Sequence, residues 1–114
     1  MHPAIQTRAV EPDITVVELS GRLNLGNTLQ SIESAIHKLI DEGARKLVID
    51  LASLTYIDSA GMGMLIGCNG RIEQAGGRMR IAGAKGMVAS SFAVGHLERI
   101  LSFHPDADAA CGGF

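Results

Sequence analysis

Lys46 to Leu51 (KLVIDL) is the stretch that most restricts the folds open to this chain. A near-continuous aliphatic run of this length is the pattern of a strand buried on both faces, and such strands sit in sheets with helices on both sides. The flanking segments supply the helices. From Thr28 to Ile40, the residues Leu29, Ile32, Ile36, Leu39 and Ile40 recur at helical spacing, and Gly43 follows where a helix ends. Ser59 to Gln74 reads as a second helix stopped at Gly76-Gly77, and Arg78 to Ala82 as a short alternating strand. Met87 to Val94 forms a third helix and Ile100 to Phe103 a last strand, after which Pro105 opens a short helix through Asp106 to Cys111. Ahead of these, Ile5 to Val10 and Ile14 to Leu19 make a hairpin about the turn Glu11-Pro12-Asp13. The order β-β-α-β-α-β-α-β-α predicts an α/β fold. Its sheet is mixed but mostly parallel, with about five strands, an N-terminal antiparallel hairpin and about four helices.

At 114 residues the chain is expected to be one domain, residues 1–114, with a core that needs no metal or disulfide. Ten Lys and Arg against twelve Asp and Glu leave a net charge of −2, so no overall positive field draws a phosphate backbone. One Tyr, three Phe and no Trp offer few platforms for base stacking, and nucleic-acid binding is disfavoured on both counts. Cys68 and Cys111 stand far apart with no cysteine beside either, which is neither metal-ligand spacing nor a disulfide framework. The expectation is a reduced, cytoplasmic protein with no metal and no cofactor. No basic leader opens the chain and no apolar run reaches about 18 residues, so neither secretion nor a membrane span is expected.

The segment from Leu54 to Gly70 (LTYIDSAGMGMLIGCNG) carries the most chemistry. Strand-like residues run into Asp58 and Ser59, both good N-cap types, and the helix begins at once. Ser59 is thereby placed at a sheet edge on a helix N-terminus, where unpaired N–H groups and the helix dipole favour negative charge. Either residue would also serve as a plain cap. A cap does not account for Gly61, Gly63, Gly67 and Gly70, each costing roughly 1 kcal/mol against Ala inside a helix. At about 100° per residue, Ala60, Gly63, Gly67 and Gly70 line up as a narrow strip, while Met64, Leu65, Cys68 and Ile72 form a separate face that belongs in the core. The strip lets another backbone come close, first a neighbouring helix of the same chain, otherwise a partner protein. Met62 and Ile66 point away from both faces. If exposed, they make a soft apolar patch one turn from Ser59; otherwise a neighbouring loop covers them.

LTYIDSAGMGMLIG resembles the segment around the phosphorylated serine of STAS-domain anti-sigma factor antagonists, an apolar pair followed by Asp-Ser-(Ser/Thr)-Gly-(Leu)-Gly. ELSGRLN is similar to that family's L-x-G-x-L-D stretch, KLVIDLASL to its central strand and turn, and GGRMRIAG and HLERILSFHP match in place and type. The resemblance runs roughly from Ile5 to Ala110 and implies a STAS-like fold. It also implies a regulator whose unphosphorylated form binds an anti-sigma factor with serine kinase activity, freeing a sigma factor for RNA polymerase. In such families the kinase uses ATP to phosphorylate the serine after the Asp, here Ser59. The complex then separates, and a serine phosphatase restores the antagonist. Asp58, Asn24 and Gly61 are the implied neighbours of that serine, and Met62, Ile66 and Gly63 the expected partner-binding surface. Two positions depart from the pattern. Ala60 stands where a second hydroxyl is common, which makes Ser59 the only acceptor in the motif. Asn24 stands where the family usually has Asp, and phosphorylation is slowed if that carboxylate positions the hydroxyl or the kinase's metal.

Other functions fit less of the sequence. A hydrolase elbow built on Ser59 needs Gly at position 57, which is Ile, and no Ser is followed three positions later by Lys. His2, His37, His96 and His104 are scattered without triad or metal spacing, so no catalytic residue is expected. Gly61-x-Gly63 lacks the Lys-Ser/Thr of a phosphate-binding loop. The serious alternative is a STAS subunit that docks in a larger assembly without a phosphorylation cycle, such as a lipid-transport or stress-sensing complex.

Overall fold

The computed structural model describes residues 4–114. Its elements are β1 (Ile5–Val10), β2 (Ile14–Leu23), α1 (Asn27–Asp41), β3 (Lys46–Ile57), α2 (Ser59–Gln74), β4 (Arg78–Ala82), α3 (Gly86–Val94), a 3-10 turn (Leu97–Arg99), β5 (Ser102–His104) and α4 (Ala107–Cys111). The five strands form one sheet in chain order, with β1 antiparallel to β2 and every other pair parallel. Element order, hairpin and helix number are those the sequence pattern predicts.

Each crossover moves one strand along in the same direction, and parallel crossovers are right-handed, so α1, α2 and α3 are delivered to one face of the sheet. There Val17, Leu19, Leu47, Ile49, Leu51 and Ile81 pack with Ile32 and Ile36 of α1, Leu65 and Ile72 of α2, and Val88 and Phe92 of α3. On the opposite face Ile14, Val16, Val48 and Ala82 are covered by Ala110 of α4, with Cys111 and Phe114 alongside. Helices therefore do lie on both sides, but unequally. Arg80 fastens the tail over the thinner layer: its guanidinium donates to the carbonyls of Ala110, Gly112 and Gly113 at 2.8 to 3.0 Å and lies 4.1 Å from the Phe114 ring centre.

β2 and β3 run well past the expected ends at Leu19 and Leu51. β4 follows β3 only as far as the pair Asp50 and Ala82, whereas β2 continues beside β3 through Gly21 with Leu54, Arg22 with Tyr56, and Leu23 with Ile57. The result is a two-stranded arm. Register shifts between Glu18 and Ser20 and between Gly21 and Arg22 interrupt the regular pairing within the arm. Gly21, beside the second shift, has a positive φ of 81°, which glycine adopts without steric cost. The Thr55 hydroxyl donates to the Gly21 carbonyl at 2.9 Å, and the Arg22 guanidinium sits 4.0 Å over the Tyr56 ring, so the arm is braced on both strands.

The last strand begins at Ser102 rather than Ile100. His96, in the left-handed conformation, starts the 3-10 turn, and Ile100 closes it. Asp106 caps α4 from outside instead of opening it, accepting from the Ala109 N–H at 2.8 Å.

Candidate functional site

The arm delivers the chain directly into the first turn of α2. Asp58 is the N-cap: Oδ1 accepts from the Gly61 N–H at 2.9 Å, and Oδ2 accepts from the Leu25 N–H at 3.1 Å. The Asp58 N–H donates to the Leu23 carbonyl at 3.2 Å. Gly61 lies against the same carbonyl. A Cβ there would run into Leu23 O and stand 2.9 Å from Ile57 Cγ1, so this close approach of helix to strand end admits glycine. The Gly61 and Leu25 N–H groups, the former contributing more, hold the Asp58 carboxyl below its ordinary value of 3.8. Asp58 is thus a carboxylate committed to two amides.

Ser59 occupies the first helical position and is exposed, and the first turn of α2 contains no acidic side chain. Asn24, also exposed, is flanked by the two residues whose backbones bond to Asp58, namely Leu23 and Leu25. The structure therefore brings Asn24, Asp58, Ser59 and Gly61 together at one end of the arm. Leu25 belongs to the same group and is 78% exposed. Its signal in the sequence is that of a large apolar residue within the polar stretch Asn24-Leu25-Gly26-Asn27, fitting neither a strand alternation nor a helix stripe.

Along α2 the expected core face is observed, with Met64, Leu65, Cys68 and Ile72 all buried. Burial pushes the Cys68 thiol up to about 12. The small-residue strip behaves differently from the first expectation. No atom comes within 4 Å of a Cβ built on Gly63, Gly67 or Gly70, so no helix of the same chain lies on it. The common hand of the crossovers sets α1 beside α2 over the sheet, where Arg71 pairs with Asp41 at 3.1 Å, and the strip is left open. Met62 and Ile66 are half-buried and pack against the main core, so the apolar patch is narrower than two fully exposed side chains would make.

His2 lies outside the described residues. His37 is on α1, His96 stands 3.6 Å from Glu98, and His104 Nε2 is 3.0 Å from Ser102 Oγ. Among the described residues no histidine hydrogen-bonds Ser59, and no group of three His, Cys, Asp or Glu is placed to hold a metal ion.

The STAS domain pattern matches residues 6–110, nearly the whole of the sheet and its helices. The chain belongs to the STAS domain family. Over 96 residues this STAS domain is 28% identical to the candidate anti-sigma factor antagonist BtrV of Bordetella bronchiseptica, covering 84% of this chain and 82% of BtrV. Its fold matches the anti-sigma factor antagonist SpoIIAA in the unphosphorylated form, with a TM-score of 0.71 at 22% identity over 92% of this chain and 91% of that one. The phosphorylated form of Bacillus SpoIIAA gives a TM-score of 0.72 at 22% identity over 93% and 96% of the two chains. The fold also occurs within the murine anion transporter Slc26a9, with a TM-score of 0.71 at 17% identity over 86% of this chain but 17% of the transporter. Among the described residues of this STAS domain, no helix is long and apolar enough to cross a membrane.

Proposed function

We propose that this STAS domain is an anti-sigma factor antagonist switched by phosphorylation of Ser59. The observation that carries the reading is the placement of Ser59: exposed, first in α2, and beside a carboxylate at the end of the β2–β3 arm. The STAS domain supplies the acceptor hydroxyl and a serine-kinase anti-sigma factor supplies the chemistry. Ser59 Oγ gains a bond to the γ-phosphorus of ATP, the hydroxyl proton leaves, and ADP departs.

The new group brings about −1.5 to −2 charges. A helix N-terminus with no acid in its first turn tolerates them, so the fold persists and the effect falls on the partner. Asp58 already places one negative charge there. A partner seated on this end of α2 then meets like-charge and desolvation penalties, and about 3 kcal/mol of these suffices for a hundredfold loss of affinity. A serine phosphatase removes the group and restores binding. Met62, Ile66 and Gly63 form the partner surface along α2, with Gly63 allowing a close backbone approach. Asn24 keeps the adjoining loop uncharged. In this reading the protein acts in the cytoplasm, on protein partners rather than on DNA.

Slc26a9 and the Asn24 substitution favour a second reading, in which the domain docks in a larger complex and is never phosphorylated. Calorimetric titration of wild type and Ser59→Asp against the purified serine-kinase anti-sigma factors of the same genome separates the two. The switch predicts tight binding by wild type and at least tenfold weaker binding by Ser59→Asp, with the thermal midpoint unchanged. Equal affinity of the two forms contradicts it.

A further inference from the structure

The loop joining β2 to α1 presents an exposed apolar residue, Leu25, whose backbone bonds to the residue before Ser59. A single exposed leucine is ordinary on a protein surface. This one is held. The N–H of Leu25 bonds to Asp58 Oδ2, while Leu23, on the other side of Asn24, bonds to the Asp58 N–H and abuts Gly61. The backbone that carries Leu25 is thus tied to the residue immediately before Ser59. Asp58 uses its two oxygens for separate purposes. Oδ1 caps α2 through Gly61, which is all a helix cap requires, and Oδ2 reaches a residue 33 positions away.

We propose, resting on the reading of Ser59 as the switched residue, that Asp58 is a positioning residue that holds Leu25 as an apolar contact for the anti-sigma partner. The binding surface then spans the β2–α1 loop as well as α2, and the partner offers an apolar socket for Leu25 next to the space that receives the Ser59 hydroxyl. An apolar side chain on an already ordered backbone loses little freedom on docking, so the clasp raises affinity without touching the partner itself. It also sets Leu25 where a phosphate on Ser59 forces charge into the same desolvated contact.

Asp58→Asn separates the clasp from the cap. Asn is as good an N-cap as Asp and its one carbonyl still accepts from Gly61, but its amide group then faces the Leu25 N–H, donor against donor. The test is calorimetric affinity for the purified serine-kinase anti-sigma factors of the same genome, together with amide hydrogen exchange. Leu25→Ala is expected to weaken binding at least tenfold with an unchanged thermal midpoint. Asp58→Asn is expected to weaken it similarly, to speed exchange of the Leu25 amide at least tenfold, and to leave the Gly61 amide protected. The double variant binds no worse than Leu25→Ala alone, because the second change has nothing left to position. If Leu25→Ala binds within twofold of wild type while Ser59→Asp does not bind, the Leu25 contact is wrong and the phosphorylation switch stands. Additive losses, or unchanged Leu25 exchange in Asp58→Asn, overturn the positioning role. If no kinase binds wild type, the switch and the contact fall together.

Discussion

Gly61 and Gly63 are two residues apart on one helix, and the same substitution is expected to move stability in opposite directions. Replacing a helical Gly by Ala gains about 1 kcal/mol from the backbone alone. At Gly63, Gly67 and Gly70 the new methyl meets nothing within 4 Å, so nothing offsets the gain and each Ala variant is stabilised by about 0.5–1 kcal/mol. Together they raise stability by about 2 kcal/mol, or roughly 8 °C in Tm for a domain of this size. At Gly61 the methyl displaces the Leu23 carbonyl and crowds Ile57. Overpacking of this kind costs about 1–3 kcal/mol, and loss of the bond from the Asp58 N–H adds about 1 kcal/mol. Set against the propensity gain, Gly61→Ala is destabilised by about 1–3 kcal/mol. Urea unfolding followed by far-UV circular dichroism measures all four, since the chain has no tryptophan to report. A Gly61→Ala variant as stable as wild type would refute the close approach of α2 to β2. Destabilisation by Gly63→Ala would show that the strip is packed in the free protein.

Two further outcomes follow from single side chains. Cys68 is buried with its thiol raised to about 12, so about one molecule in ten thousand carries a Cys68 thiolate at pH 8. An aromatic disulfide reagent should label the half-buried Cys111 at once and Cys68 only on unfolding, and equal rates would contradict the packing of α2. The folded Asp58 carboxyl titrates below 3.8, so it binds a proton less readily than in the unfolded chain. Its contribution to stability is full above about pH 4 and is lost as the pH falls through its folded value. By NMR, the Gly61 and Leu25 amide shifts should titrate together with a midpoint below 3.8; separate midpoints would break the clasp.

The aliphatic run KLVIDL, the helical spacing from Leu29 to Ile40 and the cap types at Asp58 and Ser59 make the succession of strands and helices and the start of α2 at Ser59 legible, because each rests on local sequence. Of the β2–β3 arm, the strand-like run into Asp58 is legible, whereas the continuation of β2 through Ser20, Gly21 and Arg22 is not, since polar residues and a glycine at positive φ carry no strand alternation. The strip of small residues on α2 states what could come close but not what does. The placement of α1 is decided by the hand of the crossovers, which leaves Gly63, Gly67 and Gly70 uncovered. Leu25 is hidden for a related reason: it is tied to the site by a bond to a residue 33 positions away, and no local spacing encodes that.

In the proposed switch, Ser59 is the residue that gains and loses the phosphate. Intact-mass spectrometry after incubation with the cognate serine-kinase anti-sigma factor, magnesium and ATP reads that group out. Wild type is expected to gain one phosphoryl group and Ser59→Ala none. No gain by wild type, or a gain that persists in Ser59→Ala, would contradict this role of Ser59.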